Sequence, residues 1–80
     1  SSLLDIGSNL GDFAARAARD GMISLGIEKD PDLVRRAIVT NQVDGCAFMR
    51  ADLDPSMCAR LPAFDVVLLL SVHHHWHHHF

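Results

Sequence analysis

Apolar residues come in two kinds of run along this chain. Leu3–Ile6, Met22–Glu28, Cys46–Arg50 and Asp65–Ser71 are short and nearly continuous, and turn residues flank them, as expected of buried strands. Between them, apolar residues recur at helical spacing. Phe13, Ala14, Ala17 and Ala18 form one stripe over Gly11–Arg19, and Asp20-Gly21 closes that segment with Gly21 as a left-handed cap. Leu33, Val34, Ala37 and Ile38 form a second stripe, ending near Asn41. Its start is the clearest in the chain: Asp30 is a good N-cap and Pro31 takes the first helical position. Asp44-Gly45 is a turn, Asp54-Pro55 opens a short helical turn to about Arg60, and Pro62 breaks it. Gly26, inside a strand, predicts close approach of a neighbouring element.

The order β-α-β-α-β-(short)-β predicts an α/β fold: a parallel sheet with right-handed crossovers, Rossmann-like, in the spatial order 3-2-1-4. Both long helices then cover the same face, and only the short segment 54–60 is available for the other. Parallel sheets are normally buried on both faces. An apolar sheet face and the edge of the fourth strand are therefore expected to be bare, to be covered by further sequence or by a second copy in a homo-oligomer.

Composition narrows the class. The chain has 80 residues, 49% hydrophobic and 21% charged, with a formal charge of −3. This suits one small globular domain with a stability on the order of 5 kcal/mol. It argues against disorder and gives no strong electrostatic case for nucleic acid. Arg16, Arg19, Arg35 and Arg36 read as solvated helix faces. The two cysteines, Cys46 and Cys58, lack C-x-x-C spacing and read as free thiols. The longest apolar run, Val66–Leu70, is too short to span a bilayer, and no signal peptide is visible. A cytoplasmic protein without membrane contact is the expectation. The chain begins almost directly on a strand, without Met, and stops in a histidine-rich segment. That predicts an excised portion of a larger domain.

The chemistry concentrates after the first strand, in Leu3-Leu4-Asp5-Ile6-Gly7-Ser8-Asn9-Leu10-Gly11. A strand that turns into a helix points backbone N–H groups and a positive dipole end into a crevice. Glycines let a ligand approach the backbone. The dinucleotide fingerprint G-x-G-x-x-G is not met: the pattern is Asp5-x-Gly7-x-x-x-Gly11, and Asn9 stands where the middle glycine would be. A carboxylate at Asp5 would repel a pyrophosphate but favour a ligand ammonium group. Glu28, at the tip of the second strand, is placed to accept both hydroxyls of a ribose and lies 17 positions after Gly11. The competing reading of Glu28 is a solvated loop acid. Asp30 and Asp54 read as helix caps.

Asp5-x-Gly7-x-x-x-Gly11, Glu28, Asp52 after the third strand, and Phe64-Asp65 through Ser71-Val72-His73-His74 together resemble class I S-adenosylmethionine-dependent methyltransferases over essentially the whole chain. The last segment is similar to the S-V-L-H-H that follows the fourth strand in many small-molecule and RNA methyltransferases. The resemblance implies that S-adenosylmethionine is the cofactor, with Asp5, Gly7, Ser8, Asn9 and Gly11 around its methionine moiety. It implies that Glu28, next to Lys29, holds the ribose, that Asp52 accepts from the adenine amine, and that Leu53 lies against the ring. Ser71 falls at the crevice end of the fourth strand. The implied function is methyl transfer to an unidentified acceptor, a small molecule or RNA, with residues 1–72 as the cofactor-binding part. Asn9, the short connection between strands three and four, and the missing strands five to seven depart from the family pattern.

Residues 73–80 hold all six histidines. They read as the native start of the next helix, as a purification tag, or as a metal site, since His73/His77, His74/His78 and His75/His79 have the i, i+4 spacing that grips one ion. A zinc site that adds Cys46 or Cys58 is a further alternative; the expectation is that no metal is bound. His73 and His74 are also candidate general bases, against a structural or gating role. Two functions compete with methyl transfer. One is a nicotinamide-binding oxidoreductase fragment, disfavoured by Asp5 and by the absent fingerprint. The other is a non-catalytic interaction or metal-binding module on the same fold.

Overall fold

The computed structural model describes residues 1–53, 60 and 62–68. They form β1 (Ser2–Ile6), α1 (Asp12–Arg19), β2 (Ile23–Glu28), α2 (Pro31–Thr40), β3 (Cys46–Arg50) and β4 (Val66–Leu68). The strands pair in parallel in the order β3-β2-β1-β4, as the alternation of segments predicts. The expected helical turn over 54–60 and the end of the fourth strand, with Ser71, lie outside the described residues, as does the histidine segment with His73 and His74.

Register sorts the side chains. Leu3 pairs with Ser24, Asp5 with Gly26, and Gly26 with Phe48. Parallel partners point the same way, so these residues share the face that carries the helices. The Ser24 hydroxyl donates to the Ala14 carbonyl at 2.7 Å, which fixes α1 close to β2. That closeness goes with the helix face in contact with the sheet: Ala14, Ala15, Ala17 and Ala18, all small, are buried. Phe13, expected in the stripe, is 54% exposed instead. The helix begins one residue later than predicted because Gly11 is its N-cap, in a left-handed conformation (φ +83°), and Phe13 then falls in the outward-facing first turn.

In α2 the cap is as predicted: Asp30 accepts from the Asp32 N–H, with Pro31 at the start. Val34 and Ala37 are buried, whereas Ile38, assigned to the stripe, is half-exposed because α2 rests on the edge of the sheet over β2 and β3. Asp65, expected within the fourth strand, precedes it: its carboxylate accepts from the Ser2 N–H at 2.9 Å and ties β4 to the start of β1. On the far face of the sheet Leu4 and Ile27 are buried, while Ile23, Met49 and Val67 are exposed. The expected bare face is thus bare at its margins and closed at its centre. No helix among the described residues is long and apolar enough to cross a membrane.

Candidate functional site

The β1–α1 loop turns through three left-handed residues, Gly7 (φ 73°), Asn9 (φ 56°) and Gly11 (φ 83°). Asn tolerates this region better than most side chains, which explains how it can stand among the glycines. Gly7 and Ser8 both donate to the Ile27 carbonyl, at 2.8 and 3.0 Å. Gly11 donates back to Ser8 and closes the turn. Phe48 of β3 lies beneath the loop. A Cβ on Gly26 would sit 2.7 Å from the Phe48 ring and 3.0 Å from the Ser8 Cβ, so the close approach expected at Gly26 is real. A Cβ on Gly11 would also run into the Phe48 ring.

Glu28 is buried, not a solvated loop acid. One carboxylate oxygen accepts from Asn9 N–H (2.9 Å) and the other from Asp30 N–H (3.0 Å). It joins the glycine loop to the start of α2. Each oxygen keeps a second lone pair for a ligand hydroxyl. Asp5 is 2% exposed, and its Oδ2 has no hydrogen-bond partner among the described residues. Burial, and then the negative charge of Glu28, push its pKa from the ordinary 3.8 up to about 6. The Ser8 hydroxyl is likewise buried without a partner among the described residues. No side chain caps the first turn of α1. Buried polar atoms are normally paired, so this cluster is a place where a polar ligand gains more than it would elsewhere.

The other expected site residues are placed differently. Lys29 is exposed, and its carbonyl accepts from Arg50 Nε at 3.0 Å. Asp52 is exposed and Leu53 half-buried, just after Ala51 donates to the Glu28 carbonyl. The structure thus brings Asp5, Ser8, Asn9 and Glu28 together and sets Lys29 and Asp52 at the rim. A residue that the sequence reading noted only as a helix end, Asn41, also reaches the site: its side-chain amide donates to the Leu10 carbonyl at 2.7 Å. In the sequence its only signal is an Asn near a helix end. Among the described residues no group of three or more His, Cys, Asp or Glu side chains is arranged to hold a metal ion.

Residues 4–80 match the sequence profile of a family described as a methyltransferase domain. The chain belongs to that family. Its nicotinamide alternative loses ground accordingly. An RNA methyltransferase from Salinibacter ruber, solved with S-adenosyl-L-homocysteine, is 36% identical, with a TM-score of 0.72 over 95% of this chain and 53% of that one. A TehB-like S-adenosylmethionine-dependent methyltransferase from Corynebacterium glutamicum shares the fold at 22% identity, with a TM-score of 0.69 over 84% of this chain and 35% of that one. This methyltransferase-domain chain therefore spans about half of one solved relative and about a third of the other. No curated protein sequence matches it.

Proposed function

We propose that this chain is the cofactor-binding part of an S-adenosylmethionine-dependent methyltransferase, with residues 1–72 forming that part. The observation that carries the reading is the pair of buried oxygens without a hydrogen-bond partner among the described residues, Asp5 Oδ2 and Ser8 Oγ, beneath a loop that Glu28 already ties down. The cofactor offers a complement to each: an ammonium donor for Asp5, a carboxylate acceptor for the Ser8 hydroxyl and the uncapped first turn of α1, and ribose hydroxyls for Glu28. Asp52 and Leu53 are assigned to the adenine, with Lys29 and Ser71 at the margins of the site.

When bound, S-adenosylmethionine supplies an activated sulfonium methyl group. The chain's residues bind and orient. Asp5 and Ser8 hold one end, Glu28 fixes the ribose, and the loop sets the direction in which the sulfonium faces the crevice. In-line displacement needs alignment above all, and this is what a preformed loop provides. A base is required only where the attacking atom must shed a proton. His73 and His74 remain the candidates for that role.

The Salinibacter ruber relative is an RNA methyltransferase, which makes RNA the first acceptor class to test. The solved relatives are about two to three times as long as the part this chain covers, so methyl transfer itself is proposed for a domain of that length. The family match reaches Phe80, which supports reading residues 73–80 as native rather than as a tag. The exposed Ile23, Met49 and Val67 support association, either with the rest of such a domain or with a second copy, and gel filtration reads the latter.

The test is calorimetric titration with S-adenosylhomocysteine. The wild-type chain should bind, and Asp5→Ala and Glu28→Ala should each lose about tenfold or more. Unchanged affinity in both variants would sink the reading.

A further inference from the structure

The glycine loop is held from two sides. Its inner limb rests on β2, through Gly7 and Ser8 on the Ile27 carbonyl and Asn9 on Glu28. Its outer limb, Leu10, is held from the other end of α2, where Asn41 Nδ2 donates to the Leu10 carbonyl at 2.7 Å across 31 positions of sequence. We infer that Asn41 is a positioning residue for the cofactor loop, fixing the outer limb so that the Ser8 and Asn9 groups face the crevice; this rests on the cofactor reading of Asp5–Gly11.

Several observations give Asn41 this role in place of an ordinary helix end. Helices that end in a left-handed residue place it just after the C-cap, and an Asn there is chosen for its backbone. Asn41 is the C-cap itself, at φ −119°, so its backbone does not call for Asn. Its main chain is fixed independently, by its N–H on the Ala37 carbonyl and by its carbonyl accepting from Val43. The side chain is therefore free of local duty, yet it is only 7% exposed and is spent on the loop. Next to it, Gly11 packs on the Phe48 ring and on the Ala37 Cβ, so α2 and β3 press on the loop at the same point. The contact is specific for a donor. A carboxylate of the same shape would place a negative oxygen against the Leu10 carbonyl. An open cavity of about 500 Å³, with Asn41, Phe48 and Cys46 in its walls, adjoins the contact, so substitutions at Asn41 do not overpack it.

The test compares wild type, Asn41→Asp and Val34→Ala, the last removing buried volume from the same helix without touching the loop. Two quantities are read on the full chain: amide hydrogen exchange at Asn9 and Gly11 without ligand, and the Kd for S-adenosylhomocysteine. Asn41→Asp should speed exchange at both amides and raise Kd by about fivefold or more, the factor that loss of one hydrogen bond predicts, while Val34→Ala leaves both near wild type. Should Asn41→Asp fail to fold, Asn41→Ala replaces it. Kd within about twofold of wild type, or equal loss in Val34→Ala, overturns the inference. If the wild-type chain binds no S-adenosylhomocysteine, the cofactor reading fails separately, and unchanged exchange at Asn9 and Gly11 would still overturn the positioning role.

Discussion

At one end of the crevice Asp5, Ser8 and Glu28 are buried, and Glu28 already grips two main-chain N–H groups. At the other end Lys29 and Asp52 stand in solvent, and Leu53 is half-covered. The first end is built before a ligand arrives. The second consists of residues in position without a pocket around them. A preorganised site has met its ordering cost during folding, so each contact it makes with a ligand counts nearly in full. An exposed carboxylate must give up water to make the same contact, and its net contribution is small. The loop end should therefore dominate affinity, and the two ends should respond differently to substitution.

The largest effect is expected at Gly11. Gly11→Ala forces a Cβ into a left-handed backbone and into the Phe48 ring. Strain and overpacking together cost about 3 kcal/mol. For a chain whose total stability is on the order of 5 kcal/mol, that leaves about 2 kcal/mol: the unfolding temperature drops sharply, and the distorted loop loses the ligand. Thermal unfolding and S-adenosylhomocysteine titration of the same sample check both. A stable, binding Gly11→Ala chain would show that the loop is not preorganised.

Glu28 comes next. Glu28→Ala orphans the N–H groups of Asn9 and Asp30 as well as removing the proposed ribose acceptor. A loss of about 2 kcal/mol in stability and about a hundredfold in affinity is expected. Glu28→Gln keeps the shape and one acceptor oxygen, and should lose less of both. If the two variants behaved alike, charge rather than geometry would be the main contribution of Glu28.

These two positions also show what was legible in the sequence. The sheet order followed from the alternation of segments, because right-handed crossovers leave few topologies. Asp5, Gly7, Gly11 and Glu28 were legible because strand ends and backbone conformation restrict residue type. Phe13 and Ile38 were misplaced for a reason of scale: a stripe pattern names a helix face but does not say how close the helix sits. The Ser24–Ala14 hydrogen bond draws α1 so near the sheet that only alanines fit, and α2 lies over an edge where Ile38 is not covered. Asn41 was invisible as a site residue because its partner is 31 positions away and no local pattern reports a contact of that kind.

Asp5 gives the comparison a pH axis. In the folded chain its carboxyl holds a proton up to about pH 6, against an ordinary 3.8. Between those values the native state binds more protons than the unfolded one, so stability falls as pH rises from about 4 to 6 and levels off above. Ligand affinity runs the other way. An ammonium group needs the ionised carboxylate, so S-adenosylhomocysteine should bind about tenfold more tightly at pH 7 than at pH 5. Asp5→Asn should flatten both curves, raising stability above pH 6 and weakening binding. Parallel rather than opposed slopes in the wild type would mean that the ligand does not use Asp5.

The smallest effect is expected at Asp52. Its side chain is exposed, so Asp52→Ala should leave the unfolding temperature unchanged within error. Affinity should fall only about two- to fivefold, because the adenine amine exchanges one hydrogen bond to water for one to a solvated carboxylate. Repeating the titration in a chain extended to the length of its solved relatives sharpens the point. If further chain covers the rim around Asp52, the same substitution there should cost more, because the contact is then made away from water. The Glu28→Ala loss should be the same in both, since Glu28 is already buried and bonded in these 80 residues. A growing Asp52 effect beside a constant Glu28 effect would show that one end of the site folds with this segment and the other is completed from outside it.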